Sequence, residues 1–160
     1  VISWSLHNAS AGDIDELMKW FPDARSVKIW GGPAFRFPFD RESFFEDCRW
    51  QDFSSYCLRS PDNEFAAFGQ TGSRYGRAHL ARLISNPNMR RSGVGRKLLE
   101  LLIAAVSKEQ DFPEVGLLVY KDNTPAYQCY QSVGFEVQEY PDGAPLPGEC
   151  YYMTRSVNQT

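Results

Sequence analysis

An apolar, strand-like run at about Ala78–Ser85 is tied to a long helical stripe by Asn86-Pro-Asn-Met-Arg90-Arg91-Ser92-Gly93-Val94-Gly95-Arg96-Lys97, a loop with two glycines and four cationic side chains. A strand and a helix joined so closely leave few arrangements open to the chain. The helix start has backbone N–H groups without intrahelical partners, and the helix dipole favours negative charge there. Glycine at 93 and 95 lets a ligand approach the main chain with no Cβ in the way. A phosphate or pyrophosphate fits such a junction. From Arg77 to Lys97 there are six basic residues and no acidic one, in a chain whose net charge is −3. A local cationic segment in an acidic protein points to an anion site, not to a general nucleic-acid surface. A solvated basic loop is the plainer alternative, and the paired glycines favour the site.

A length of 160 residues suits one domain, 1–160, around one core, and 42% hydrophobic residues with 14% aromatics can fill it. No apolar run approaches the roughly 20 residues that span a bilayer. Val1–His7 lacks the basic and apolar zones of a secretory signal, so a cytoplasmic location without membrane attachment is expected. Cys48, Cys57, Cys129 and Cys150 are widely spaced, with no CxxC and no clustered histidines, which argues for reduced thiols and against a metal site.

Along the chain, residues 2–7 read as a strand. Ser10 or Asp13 caps a helix to about Trp20. An irregular aromatic stretch follows from Trp30 to Phe39, where Pro33 and Pro38 forbid a continuous helix, and a second helix spans about 41–50. Strands are expected near 53–59, 65–70 and 78–85. A helix then runs from Gly95 to about Lys108 on the stripe Leu98, Leu99, Leu102, Ile103 and Val106. A strand at 115–120, a helix from Asn123 closed by Gly134, and strands near 135–140 and 151–155 complete the order. The pattern is a mixed α/β sheet covered by helices.

Gly93-Val94-Gly95 is not a dinucleotide fingerprint, since Leu98 stands where GxGxxG wants a small residue, and GxxxxGK[ST] is absent. What fits is R/Q-x-x-G-x-G/A, as Arg90-Arg91-Ser92-Gly93-Val94-Gly95, followed by Asn123-x-x-Ala126-x-x-x-Tyr130-x-x-x-Gly134-Phe135. Both motifs, in this order and on these elements, resemble the GNAT superfamily of acyl-CoA-dependent N-acyltransferases over about residues 65–140. The resemblance implies a twisted, mostly antiparallel mixed sheet of about six to seven strands. About four helices would cover its faces, with central strands splayed into an acyl-CoA cleft. It implies acetyl-CoA as cosubstrate, with no metal. The pyrophosphate would sit on Arg90, Arg91, Ser92, Gly93, Val94, Gly95 and Arg96. Pantetheine would pair with Leu83, Ile84 and Ser85, where a strand bulge often opens the edge, and Asn123 and Ala126 would face the cofactor.

Tyr130 shares a helix face with Ala126 and Asn123, and in relatives a tyrosine here protonates the departing thiolate. A phenol of pKa near 10 can serve a thiol of about 8.5. His79, 14 positions before Gly93, is the leading base candidate, where several relatives carry a glutamate. Glu149 and Asp142 are weaker ones. Trp30, Phe35, Phe37 and Phe39 either wall the acceptor pocket or fill the core. Eleven acidic against seven basic residues in 1–64 lean towards a cationic acceptor. The acceptor would be a small-molecule amine or a peptide or protein amine, and the resemblance allows a homodimer. A non-catalytic acyl-CoA sensor of the same fold and a mononucleotide-binding domain are the rival readings.

Overall fold

In the computed structural model, which describes residues 3–89 and 93–158, seven strands form one sheet in the order β1-β2-β3-β4-β5-β7-β6. The strands are β1 (Ser5–Asn8), β2 (Ser54–Arg59), β3 (Phe65–Arg74), β4 (Arg77–Ser85), β5 (Glu114–Tyr120), β6 (Glu136–Gln138) and β7 (Cys150–Ser156). Five helices accompany them: α1 (Ala11–Met18), α2 (Ala24–Gly31), α3 (Arg41–Asp47), α4 (Val94–Glu109) and α5 (Thr124–Ser132). All neighbouring strands are antiparallel except β4 and β5, which run parallel and are joined through α4. A parallel pair needs such a crossover, because no short turn can reverse the chain twice.

Helix starts follow the cap rules. Ser10 accepts from the Asp13 N–H at 3.2 Å while the Ser10 N–H donates to Asp13 Oδ2 at 2.8 Å, so both expected capping residues work as a reciprocal pair. Asp23 with Ser26 and Asp40 with Ser43 repeat the device on α2 and α3. The helix α2 is an addition to the sequence reading, which assigns no element between the first helix and the aromatic stretch and begins that stretch at Trp30, inside α2. It is only two turns long, with Val27 its one buried residue, so its apolar stripe is too short to mark a helix in the sequence. The strand β3 runs four residues beyond its expected end, to Arg74. There Tyr75 and Gly76, with φ of 56° and 73°, make the two-residue turn into β4.

Two apolar layers enclose the sheet. The α4 stripe (Val94, Leu98, Leu99, Leu102, Ile103, Val106) packs with Tyr56, Leu58, Ala67 and Leu80, and each such side chain contributes about 1.5–3 kcal/mol on burial. The opposite layer joins α1, α2 and α3 to Cys57, Phe65 and Phe68 through a ring cluster centred on Phe44. Phe35 and Phe39 belong to this cluster, so they fill the core, whereas Phe37 is exposed.

Candidate active site

The cleft begins where pairing stops. Strands β4 and β5 are in register only at Ala78↔Val115 and His79↔Gly116; beyond that point Leu80–Ser85 and Leu117–Tyr120 separate. A bulge in β4 accompanies the parting. Phe68 faces Ile84 and Gln70 faces Ala81, so β4 has one more residue than β3 there, and Arg82 takes a φ of 52°. An extra residue bends its strand and sharpens the twist. Leu83, Ile84 and Ser85 are thus half-buried and open to the cleft, with Ile84 and Ser85 paired to β3 on the other side and Leu83 within the bulge.

The far end of β4 meets the start of α4. Gly93 occupies the N-cap in the left-handed region, φ 72°, with no side-chain cap. Lys97 N–H is the first described to bond back along the helix, to Gly93 O at 3.0 Å, so the N–H groups of Val94, Gly95 and Arg96 precede the ladder. Gly95 lies where three elements converge: a Cβ on it would stand 3.5 Å from Cys129 Sγ and 3.7 Å from Ser85 Oγ. Arg96 bridges helices instead of standing free, donating to Ser132 O at 3.1 Å and pairing with Glu100 at 3.4 Å. Arg90, Arg91 and Ser92 lie outside the described residues.

Helix α5 supplies the other wall. Asn123 is its N-cap by position, yet its side chain makes no cap bond and the residue lines the cleft beside Ala126 and Tyr130. Tyr130 is fixed by the helix end. Phe135 N–H donates to Tyr130 O at 3.0 Å, Gly134 N–H donates to Gln131 O at 3.0 Å, and Gly134 has φ 103°. This is the double-bonded glycine termination, with the customary ring contact: Tyr130 and Phe135 lie 6.2 Å apart. Burial pushes the Tyr130 phenol above its ordinary value, so it stays protonated. Cys129, half-buried, is likewise raised by burial and is no activated thiolate.

His79 also lines the cleft, on the last paired rung before the strands part. It is 3% exposed, and its Nδ1 has no partner among the described residues. Burial, helped by the nearby charges of Arg74 and Arg82, pushes its pKa down to about 3. Opposite, Trp20, Phe21, Ile29 and Trp30 face the cavity, whose volume is about 960 Å³. Trp30 therefore has both expected roles, stacking on Phe44 at 5.7 Å while walling the cleft. Neither Glu149 nor Asp142 lines it.

Sequence reasoning missed Arg74 and Arg82, which enter the cleft from the end of β3 and from the β4 bulge. Several carboxylates of residues 1–64, whose count leans towards a cationic acceptor, are paired away from the cleft. Asp13 holds Arg59, Asp15 holds Arg41, and Glu46 with Asp47 holds Arg36. No Asp or Glu among the described residues lines the cavity. Nor is any group of three or more His, Cys, Asp or Glu among them placed to hold a metal ion, and no described helix is long and apolar enough to cross a membrane.

Comparison with known proteins agrees with this architecture. The acetyltransferase (GNAT) family model matches residues 15–135. Among solved structures, the ribosomal-protein-S18-alanine N-acetyltransferase from Escherichia coli is 20% identical, with a TM-score of 0.66 over 98% of this chain and 96% of that one. Spermidine N-acetyltransferase from Vibrio cholerae, in complex with CoA and spermine, is 13% identical with a TM-score of 0.73, covering 96% and 95%. AAC(6')-Ib, in complex with paromomycin and acetyl-CoA, is 20% identical with a TM-score of 0.74, covering 96% and 93%. At these identities the likeness is one of fold.

Proposed function

The chain belongs to the acetyltransferase (GNAT) family, and on that footing we propose that it transfers the acetyl group of acetyl-CoA directly to a primary amine within a ternary complex. The observation that carries this reading is the parting of β4 from β5 immediately in front of an uncapped helix start. An open strand edge can bond an amide-bearing pantetheine as it would a peptide, and the free N–H groups at 94–96 suit a diphosphate. The two features line one cavity, so one extended molecule can satisfy both. The acetyltransferases of known structure that hold CoA or acetyl-CoA share this fold.

In this reading Leu83, Ile84 and Ser85 bind pantetheine through their backbone, and Gly93, Val94, Gly95 and Arg96 bind the pyrophosphate through theirs, together with Arg90, Arg91 and Ser92. Asn123, freed from capping, and Ala126 flank the arm. Backbone N–H groups near Leu83–Ile84 stabilise the oxyanion of the tetrahedral intermediate. The neutral amine nitrogen attacks the thioester carbon and the carbon–sulfur bond breaks as Tyr130 gives its proton to the leaving thiolate; the proton lost by the nitrogen passes to solvent, from which the Tyr130 hydroxyl is restored. Holding both reactants in one crevice supplies much of the acceleration.

His79 fits this scheme as a neutral hydrogen-bond acceptor that orients the amine. A proton held there would sit in a buried site beside two guanidinium groups. His79→Gln should therefore keep kcat/KM within roughly tenfold of wild type, less than the 10²–10⁴ of a lost general base. The pH profile should follow ionisation of the acceptor ammonium, with no inflection near 6.5. A loss beyond a hundredfold would restore the imidazole as the base. The same burial affects stability: the unfolded chain takes up a proton on this residue below about 6.5, while the folded chain resists until about 3. Stability should fall as pH drops through that window, and His79→Gln should flatten the slope.

Gly93→Ala forces a side chain into left-handed backbone, which costs an L residue about 1–2 kcal/mol. No described atom lies within 4 Å of the added Cβ, so the fold should survive with a melting temperature a few degrees lower. CoA affinity should drop by roughly tenfold, as the cradle loses its shape. The test of the whole reading is CoA release from acetyl-CoA across a panel of primary amines, with mass spectrometry of the N-acetyl product. Saturable CoA binding with no product on any amine would make the chain a sensor.

A further inference from the structure

The acceptor side of the cleft has cations without counter-charges. Arg82, at the β4 bulge, and Arg74, at the end of β3, both line it, and no carboxylate among the described residues does. Both guanidiniums lie over one ring, that of Phe53, at 5.2 Å and 5.0 Å from its centre. Neither has a carboxylate within ion-pair distance among the described residues, where the other arginines of this region have theirs. Asp47 is near enough to influence Arg82, but its oxygens accept from Arg36 N, Nε and Nη2 at 2.9–3.0 Å.

Arg82 is held in place by a neutral clamp. Its Nη1 donates to Gln70 Oε1 at 2.8 Å, while Gln70, fully buried, donates through Nε2 to Cys48 O at 3.0 Å and Ser55 Oγ at 2.9 Å. The buried Arg82 Nε has no partner among the described residues. A desolvated guanidinium without an anion is costly, and proteins normally pair such a group. Holding one rigidly at the mouth of a substrate cleft, with a second beside it, leaves the counter-charge to the ligand. Pantetheine is neutral, and in the proposed complex the phosphates sit at the start of α4, beyond the end of β4.

We infer that the acceptor amine carries a carboxylate, seated between Arg74 and Arg82, on an apolar body lodged against Trp30, whose ring lies 6.1 Å from that of Phe68 beside the β4 bulge. An α-amino acid with an apolar side chain meets all three requirements. This rests on the acetyltransferase reading and narrows its acceptor class, against the polyamine and aminoglycoside ligands of the structural neighbours.

The test is calorimetric titration of CoA-saturated protein with L-phenylalanine, L-phenylalaninamide and spermidine. Phenylalanine should bind at least roughly tenfold more tightly than its amide, since a site built for a charged partner rejects the analogue that lacks it. Arg74→Gln and Arg82→Gln should each reduce that ratio to near one while leaving CoA affinity unaltered; using both variants guards against one folding poorly. Equal or tighter binding of the amide or of spermidine, no binding of any of the three, or an undiminished ratio in both variants would overturn the inference. Failure to bind CoA at all would overturn the acetyltransferase reading instead.

Discussion

Tyr130→Phe is expected to lower kcat by about 10²-fold or more while the Kd for acetyl-CoA stays within twofold of wild type, because it removes one proton donor and nothing else. The ring should keep its place. It is held by the helix termination at Gly134 and by contact with Phe135, neither of which involves the hydroxyl. Burial keeps the phenol protonated, so the donor is available across the working pH range and its loss should be felt at every pH. The defect should shrink with an acyl donor whose thiol is more acidic, since such a leaving group needs less help. Single-turnover rates with both donors measure this directly. A variant within threefold of wild type would mean that the thiolate leaves unprotonated or takes its proton from water.

Phe44→Ala should be the most destabilising single change on the acceptor side. Phe44 is fully buried and touches Phe21, Trp30, Phe35 and Phe39, with ring separations of 6.3, 5.7, 5.2 and 4.8 Å. Truncating a buried phenylalanine costs about 3–5 kcal/mol, counting the cavity left behind. For a domain of this size that corresponds to a melting temperature lower by roughly 10 °C. The functional consequence should be asymmetric. Trp30 loses its stacking partner and walls the acceptor pocket, whereas the helix start that suits the coenzyme packs on the other layer. The acceptor KM should therefore rise more than the Kd for CoA. Thermal unfolding and paired titrations decide it; a shift under about 3 °C would mean that the cluster re-packs around the gap.

What was readable in advance depended on how local the signal was. The capping pair Ser10 and Asp13, the apolar stripe of α4 and the glycine closing α5 are set within a turn or two of chain, and all appear as expected. The helix α2 escapes the sequence pattern because it is only eight residues long, so its cap at Asp23–Ser26 is followed by barely two turns of stripe. The extension of β3 to Arg74 depends on its pairing with β4, which propensity does not see.

The site divides the same way. Sequence alone determined that a glycine-bearing loop leads into a helix and that Asn123, Ala126 and Tyr130 share a helix face, because backbone freedom and helical period are properties of consecutive residues. Only the tertiary structure decided where β4 leaves β5, which arginines enter the gap, and that Asp13, Asp15, Glu46 and Asp47 are spent on ion pairs away from it. Charge counts carry no geometry. A carboxylate's influence falls with distance and vanishes into whichever cation it meets first, and that partner is chosen by the fold.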